Sequence, residues 1–330
     1  MTTQGIDRIL GRFPRTRVLV VGDILLDEFI WGKAERISPE APVPVVWAQE
    51  RSYMPGGASN VANNIAALKG QVVLCGVVGE DGNAETLCSA LRARGVDTDG
   101  VLADAERPTT VKTRIVAQHQ QVVRVDWEKT HPLAPAGARR LLGAVERNIE
   151  ACDAVIIEDY GKGVVTPFVL KSVIGLARRR RKIITVDPKV EHFAYYKGIT
   201  AMTPNEKEAA AGAGIGIKTD ADVDRVGRAL LKKSGAKGVL VTLGEKGMKL
   251  FAGGRITHIP TMAQEVFDVS GAGDTVIAVF TLALAARVRM EEAARLANAA
   301  AGIVVGKVGV AVVTPGELRG VGPRLKKGAL

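Results

Sequence analysis

Residues 154–187 read AVIIEDYGKGVVTPFVLKSVIGLARRRRKIITVD. An apolar run, Ala154 to Ile157, is followed by a turn, an amphipathic stretch from Thr166 to Arg181 and a second apolar run from Ile183 to Val186. Thr166-Pro167 supplies an N-cap and a proline at the first helical position. Two short strands joined by a helix of that length pair in parallel through a right-handed crossover. The rhythm continues with a run at Gly238 to Leu243 and helices expected near 272–286 and 290–302. These elements predict a doubly wound, three-layer α/β/α fold with a mostly parallel central sheet. Earlier in the chain Val43 to Gln49, Thr110 to Ala117 and Val122 to Trp127 read as strands, with no helix between the last two. They predict a small β-sheet lid, formed by about 26–50 and 109–128, on one domain spanning 1–330. Alternation in its second strand sets Lys112, Arg114 and Gln118 against Val111, Thr113 and Ile115.

Composition narrows the class. The chain has 330 residues, 47% of them apolar, enough for a sizeable core. A basic leader followed by a long apolar segment is not evident, which predicts a cytoplasmic protein. The longest apolar stretch, Thr275 to Ala286, is shorter than the roughly 20 residues that span a bilayer, so a buried helix is expected and no membrane partner. Cys75, Cys88 and Cys152 are odd in number and scattered, as core thiols are. His119, His131, His192 and His258 lack metal-ligand spacing. The net charge of +10 invites a nucleic-acid reading, but the densest basic run, Arg178 to Lys182, ends a predicted helix, where cations complement the dipole. Aromatic residues are 4% of the chain and do not interleave with the basic clusters, so no nucleic-acid partner is expected.

The strongest chemical signal is Asp268-Val-Ser-Gly-Ala-Gly-Asp-Thr275, a glycine turn running into the apolar helix. Backbone N–H groups of Gly271, Ala272 and Gly273 can converge on an anion at the helix N-terminus. Asp274 beside them can take the proton of an attacking hydroxyl. A bland N-terminal cap would look similar. Gly56-Gly57-Ala-Ser-Asn60 opens a second helix, predicted from Val61 to Lys69, and offers close backbone approach and an amide for sugar hydroxyls. Asp23 and Asp27 follow the first strand, at the end where doubly wound sheets bind ligands. Asn205-Glu-Lys-Glu208 begins another helix, where Glu208 suits either Mg²⁺ through water or a cap. Thr242-Leu-Gly-Glu-Lys-Gly247 ends a strand in a turn that could pass under a nucleotide. No G-x-x-x-x-G-K-S/T sequence and no G-x-G-x-x-G after the first strand occur, which excludes P-loop and Rossmann dinucleotide chemistry.

In that order, GG-x-x-N, N-x-x-E, TLG-x-x-G and GAGD, the chain resembles the ribokinase-like (PfkB) sugar kinases over nearly its whole length. The resemblance implies ATP and Mg²⁺ as cofactors, Asp274 as general base and Gly271 to Gly273 as the anion hole. It implies Asn205 and Glu208 around Mg²⁺, and Thr242, Gly244, Gly247 and Asn298 along the nucleotide. A monovalent cation near Asp268 and a homodimer paired through the lid are further family features. A narrower likeness rests on Glu35 to Val45, Lys112-x-Arg114, Gln120-Gln121, Asp159-Tyr-Gly-Lys162 and Asp187-Pro-Lys189. These segments look like the D-glycero-β-D-manno-heptose-7-phosphate kinases, which phosphorylate the anomeric hydroxyl on the route to ADP-heptose for lipopolysaccharide. Asp23, Asp27, Gly56, Gly57 and Asn60 would then hold the sugar. Arg36, Lys112, Arg114, Lys162 and Lys189 lie on the substrate side, where charge-assisted bonds would hold a second phosphate. The common bifunctional form adds a nucleotidyltransferase domain, so a separate adenylyltransferase is expected here. Kinases of fructose 1-phosphate or tagatose 6-phosphate are the alternative within the class.

Overall fold

A computed structural model describes residues 2–322 other than 119 and 264, so the histidine at 119 lies outside the described residues. Among the described residues the strands are β1 Arg17–Gly22, β2 Ile24–Ile37, β3 Pro44–Gly57, β4 Gln71–Gly79, β5 Asp97–Asp104, β6 Thr110–Ala117 and β7 Gln120–Trp127, then β8 Ala154–Glu158, β9 Ile183–Asp187, β10 Ala201–Met202, β11 Gly238–Thr242, β12 Met248–Ala252 and β13 Arg255–Ile259. Nine form one sheet in the order β13, β12, β11, β10, β9, β8, β1, β4, β5. Pairing is parallel from β11 through to β5 and antiparallel only at the β11, β12, β13 edge.

Central strands are apolar on both faces because both are covered. Val18, Val20, Ala154 and Ile156 join one core, with the helices Ala58–Ala67, Ala272–Ala285 and Met290–Val304. Leu19, Val21, Val155 and Ile157 join the other, with the helices Pro135–Ile149, Pro167–Arg179 and Asp220–Ser234. This is the expected three-layer α/β fold. The expected crossover helix is Pro167–Arg179, capped by Thr166 and closed by Arg178 and Arg179 in its last turn. The apolar stretch after Asp274 is a buried helix, and all three cysteines are buried and free. Among the described residues, no helix is long and apolar enough to cross a membrane.

The second sheet has the order β3, β2, β6, β7. Its long strand Ile24–Ile37 was not among the expected strands, because it leaves β1 after one residue and its buried half gives way to an exposed, polar half. The β3 strand runs on through Gly56-Gly57 into a helix that begins at Ala58, three residues before the expected start. Gly57 makes that transition at φ +53, and a Cβ there would stand 2.2 Å from Leu25 Cδ1. Gln118 falls outside β6, in a turn at φ +51.

Candidate active site

Strands β1, β8 and β9 end level with one another: Gly22 is in register with Glu158, and Glu158 with Asp187. The neighbouring strand makes a side chain at Gly22 untenable, since its Cβ would lie 2.2 Å from the Glu158 carbonyl oxygen. Over these ends sits the start of the helix Ala272–Ala285, so that carboxylate oxygens of Glu158, Asp187 and Asp274 lie within 4.8 Å of one another. Glu158 is fully buried, and neither of its carboxylate oxygens accepts a bond from any described donor. Burial raises its pKa well above the ordinary value, and Asp187 and Asp274 push the same way. Asp187 is raised for the same leading reason, while Thr203 Oγ1 donates to it at 2.9 Å. The Glu158 and Asp187 side chains are close enough to bond only if one of them keeps a proton.

That arrangement has a stability consequence. Because the folded-state pKa of Glu158 is raised, its contribution is fully present below the unfolded pKa and is lost as pH rises through the folded one. Glu158→Gln cannot ionise and should be more stable than wild type at pH 8 by about 1–3 kcal/mol, with the gap closing toward pH 4. Thermal melts across that range test it; a variant less stable than wild type at pH 8 would refute the assignment.

Gly271 caps the helix in the left-handed region at φ +74, where a Cβ would lie 2.7 Å from Asn60 Nδ2. Of the three expected anion-hole donors, Ala272 N–H is engaged by the Val269 carbonyl at 3.2 Å. Asp274 is 3% exposed. Burial pushes its pKa up to about 6 against the opposing hydrogen bonds from Asn60 and Tyr160. Asn60 Nδ2 donates to Oδ2 at 2.7 Å and Tyr160 Oη to Oδ1 at 2.7 Å. Asn60 was expected on the sugar; it is fully buried, and its amide serves the carboxylate.

Three cavities meet at this point. One of about 300 Å³ is lined by Asp27, Gly57, Lys112, Arg114, Lys162 and Lys189, together with Gly271 and Asp274. An acidic one of about 260 Å³ shares Lys189, Gly271 and Asp274 and adds Asp187, Asn205 and Glu208. A third, of about 540 Å³ and mainly apolar, shares Thr242 and Gly273 with the acidic one and reaches Gly244, Gly247 and Asn298. Asp274 therefore stands between a cation-lined chamber and an acidic one that opens toward an apolar cleft. The cation-lined chamber suits a phosphorylated acceptor and the apolar cleft a nucleotide base, while the acidic chamber suits a polyphosphate only together with a divalent cation.

The cations are not idle. Lys112 Nζ pairs with Asp126 at 3.2 Å, Lys162 Nζ with Glu128 at 2.7 Å, and Arg114 with Asp27. Arg124, which the sequence reading missed, also lines the chamber and pairs with Asp126 at 2.8 Å. Alternation along β7 alone could not reveal that its residue 124 stands opposite Arg114. Among the described residues, Lys189 has no carboxylate within ion-pair distance. Arg36 is exposed and lines none of the three cavities. Gly56 is needed beside Asp27, whose Oδ2 would be 2.4 Å from a Cβ there. Asp23 differs from the expectation of a sugar ligand: it is buried and accepts from the N–H groups of Tyr160, Lys162 and Val164 at 2.9, 3.1 and 3.1 Å. Burial raises its pKa to about 6. Its role is to build the loop that carries Tyr160 and Lys162.

Asn205 and Glu208 form the reciprocal cap that the sequence allowed, each side chain accepting from the other's N–H at 3.0 and 2.9 Å. They also wall the acidic chamber, so capping and cation binding are compatible. Asn298 is buried and donates to the Pro260 carbonyl at 2.8 Å while lining the apolar cleft. Asp268 accepts from Ser270 N–H at 2.8 Å and Gly309 N–H at 3.2 Å.

Solved structures share this fold. Escherichia coli phosphofructokinase-2, in complex with substrates and products, superposes with a TM-score of 0.78 at 20% identity over 94% of this chain and 99% of that one. Arabidopsis thaliana ribokinase, complexed with ribose and ATP, gives 0.72 at 21% over 94% and 99%. The pfkB family carbohydrate kinase profile matches residues 15–315, and the chain belongs to that family. It is an ATP-dependent carbohydrate kinase. Curated relatives are more specific: the bifunctional protein HldE of Geobacter sulfurreducens is 44% identical over 97% of this chain, and that of Pelobacter propionicus 45% over 96%. The chain spans 66% and 65% of the length of those two relatives.

Proposed function

We propose that the protein transfers the γ-phosphoryl group of ATP to the anomeric C1 hydroxyl of D-glycero-β-D-manno-heptose 7-phosphate, in the cytoplasm, on the route to ADP-heptose. The observation that carries this reading is that Lys112, Arg114, Lys162 and Lys189 line the same chamber as Asp274: the cations suit a phosphate on the sugar, and the carboxylate suits its attacking hydroxyl. The heptose-kinase segments and the likeness to HldE proteins support the choice of sugar.

In this reading the sugar's 7-phosphate meets Lys112, Arg114 and Lys162, which exchange bonds with Asp126, Asp27 and Glu128 for bonds with phosphate. Its C1 hydroxyl approaches Asp274, which accepts the proton as oxygen attacks phosphorus. Gly271 and Gly273 N–H groups and the helix N-terminus face the charge on the transferred group. Lys189, shared by both chambers, adds a further cation there. Thr242, Gly244, Gly247 and Asn298 line the cleft for the nucleotide. The all-oxygen, acidic donor set suits a hard cation, so Glu208, with Asn205 and Asp187 beside it, would hold Mg²⁺. Bound there, the ion neutralises phosphate charge. Asp268 is the residue beside which a monovalent cation would bind. We read the small sheet as a lid on a single kinase unit that a second copy's lid would meet in a homodimer.

The test is an ATP-coupled screen over heptose 7-phosphate, unphosphorylated heptose, fructose 1-phosphate and tagatose 6-phosphate. Preference for either of the last two would replace the heptose reading. Glu208→Gln retains the cap's acceptor and removes the charge, so it should raise the Mg²⁺ concentration needed for half-maximal rate. An unchanged magnesium dependence at saturating ATP would leave Glu208 as a cap alone.

A further inference from the structure

We infer that Tyr160 is a positioning residue for the reaction, the partner that fixes the Asp274 carboxylate at Oδ1. The inference rests on Asp274 being the base. Tyr160 borders both the cation-lined and the acidic chambers, and its hydroxyl donates to Asp274 Oδ1 at 2.7 Å. Asn60 holds the other oxygen at the same distance from the opposite side. A carboxylate gripped at both oxygens has one rotamer, and each oxygen keeps a lone pair for a further donor. Desolvated as it is, the anion depends on these two donors to remain charged.

The tyrosine is itself fixed from behind. Its N–H donates to Asp23 Oδ2, and the same carboxylate takes the N–H groups two and four residues on. Gly161 and Gly163 follow it at φ +66 and +84, and a Cβ at Gly163 would lie 2.1 Å from the His131 carbonyl oxygen. Asp159, before it, accepts from Gly161 N–H at 3.0 Å and from Tyr196 Oη at 2.7 Å. A loop so constrained places one hydroxyl, and that hydroxyl is spent on the base. The reaction gains an oriented acceptor; proton transfer itself runs from substrate to Asp274, with the tyrosine O–H bond intact.

The test is a double-mutant cycle. Tyr160→Phe should lower kcat by roughly 10- to 100-fold and change the KM for ATP and for sugar by less than about threefold, because the lost bond orients the base and binds neither substrate. In an Asp274→Asn background the same change should cost less than about threefold more. Additive losses, or a kcat within threefold of wild type for the single variant, would overturn the inference. A second readout needs no change at residue 160. The chain has four tyrosines, and among them Tyr160 is the one bonded to Asp274. With 3-fluorotyrosine incorporated throughout, Asp274→Asn should shift one ¹⁹F resonance strongly; no shift would overturn the inference. Both experiments use whichever sugar phosphate the wild type accepts, so a wrong substrate assignment leaves them intact. An Asp274→Asn enzyme of normal rate would instead remove the base, a separate failure.

Discussion

Asp274→Asn should lower turnover by roughly 10²-fold or more, the usual scale of a general-base contribution, while ATP affinity stays near that of wild type. The substitution keeps the size of the side chain and its place between Asn60 and Tyr160, but an amide cannot take the hydroxyl proton. Since burial lifts the Asp274 pKa to about 6, the base is charged above that pH and neutral below it. Wild-type kcat/KM should therefore rise with pH through about 6 and level off, whereas the variant's residual rate should lose that limb. Asp23, also raised to about 6, titrates in the same window, so the comparison with the variant is what isolates Asp274. Steady-state rates from pH 5 to 8 check both points. Turnover within a few-fold of wild type would take the role of base from Asp274.

The second large effect concerns substrate choice. Lys112→Ala or Arg114→Ala should weaken use of heptose 7-phosphate by about 1.5–3 kcal/mol per charge-assisted contact, or roughly 10- to 150-fold in kcat/KM, with ATP affinity nearly unchanged. The phosphate sits at the end of the sugar remote from C1, so its binding energy orients the acceptor. The two variants differ in one respect. Arg114→Ala leaves Asp27, 6% exposed, without its partner and should also destabilise the fold by several kcal/mol, since breaking a buried pair strands a charge. Lys112→Ala leaves its two partners, Asp126 and Glu128, still paired with Arg124 and Lys162, and should keep its Tm near wild type. The measurement is kcat/KM for heptose 7-phosphate against the unphosphorylated sugar in all three proteins. Equal use of both sugars by wild type, or equal losses on both in the variants, would remove the phosphate clamp.

The sequence by itself determined the layered fold, through the apolar runs at 154–157 and 183–186 and the capped helix between them, because a strand covered on both faces must be apolar throughout. It also placed the glycine turn at the head of a buried helix, since Gly271 to Asp274 and the apolar run after it are local chemistry. Family order grouped Thr242, Gly244, Gly247 and Asn298, and in the fold these four line one apolar cleft. Only the tertiary structure decided which side chains touch the Asp274 carboxylate. Asn60 and Tyr160 lie 214 and 114 residues from Asp274 along the chain, and a buried amide reads in sequence just like a ligand-binding one. Glu158 is the clearest case: it ends an ordinary strand, and its burial beside Asp187 exists only because β8 and β9 are in register at that residue. The same holds for the cations of the lid. Their residue types were legible, but Asp126, Asp27 and Glu128, which hold them, are set by strand pairing and loop closure, and those depend on long-range contacts that no local pattern encodes.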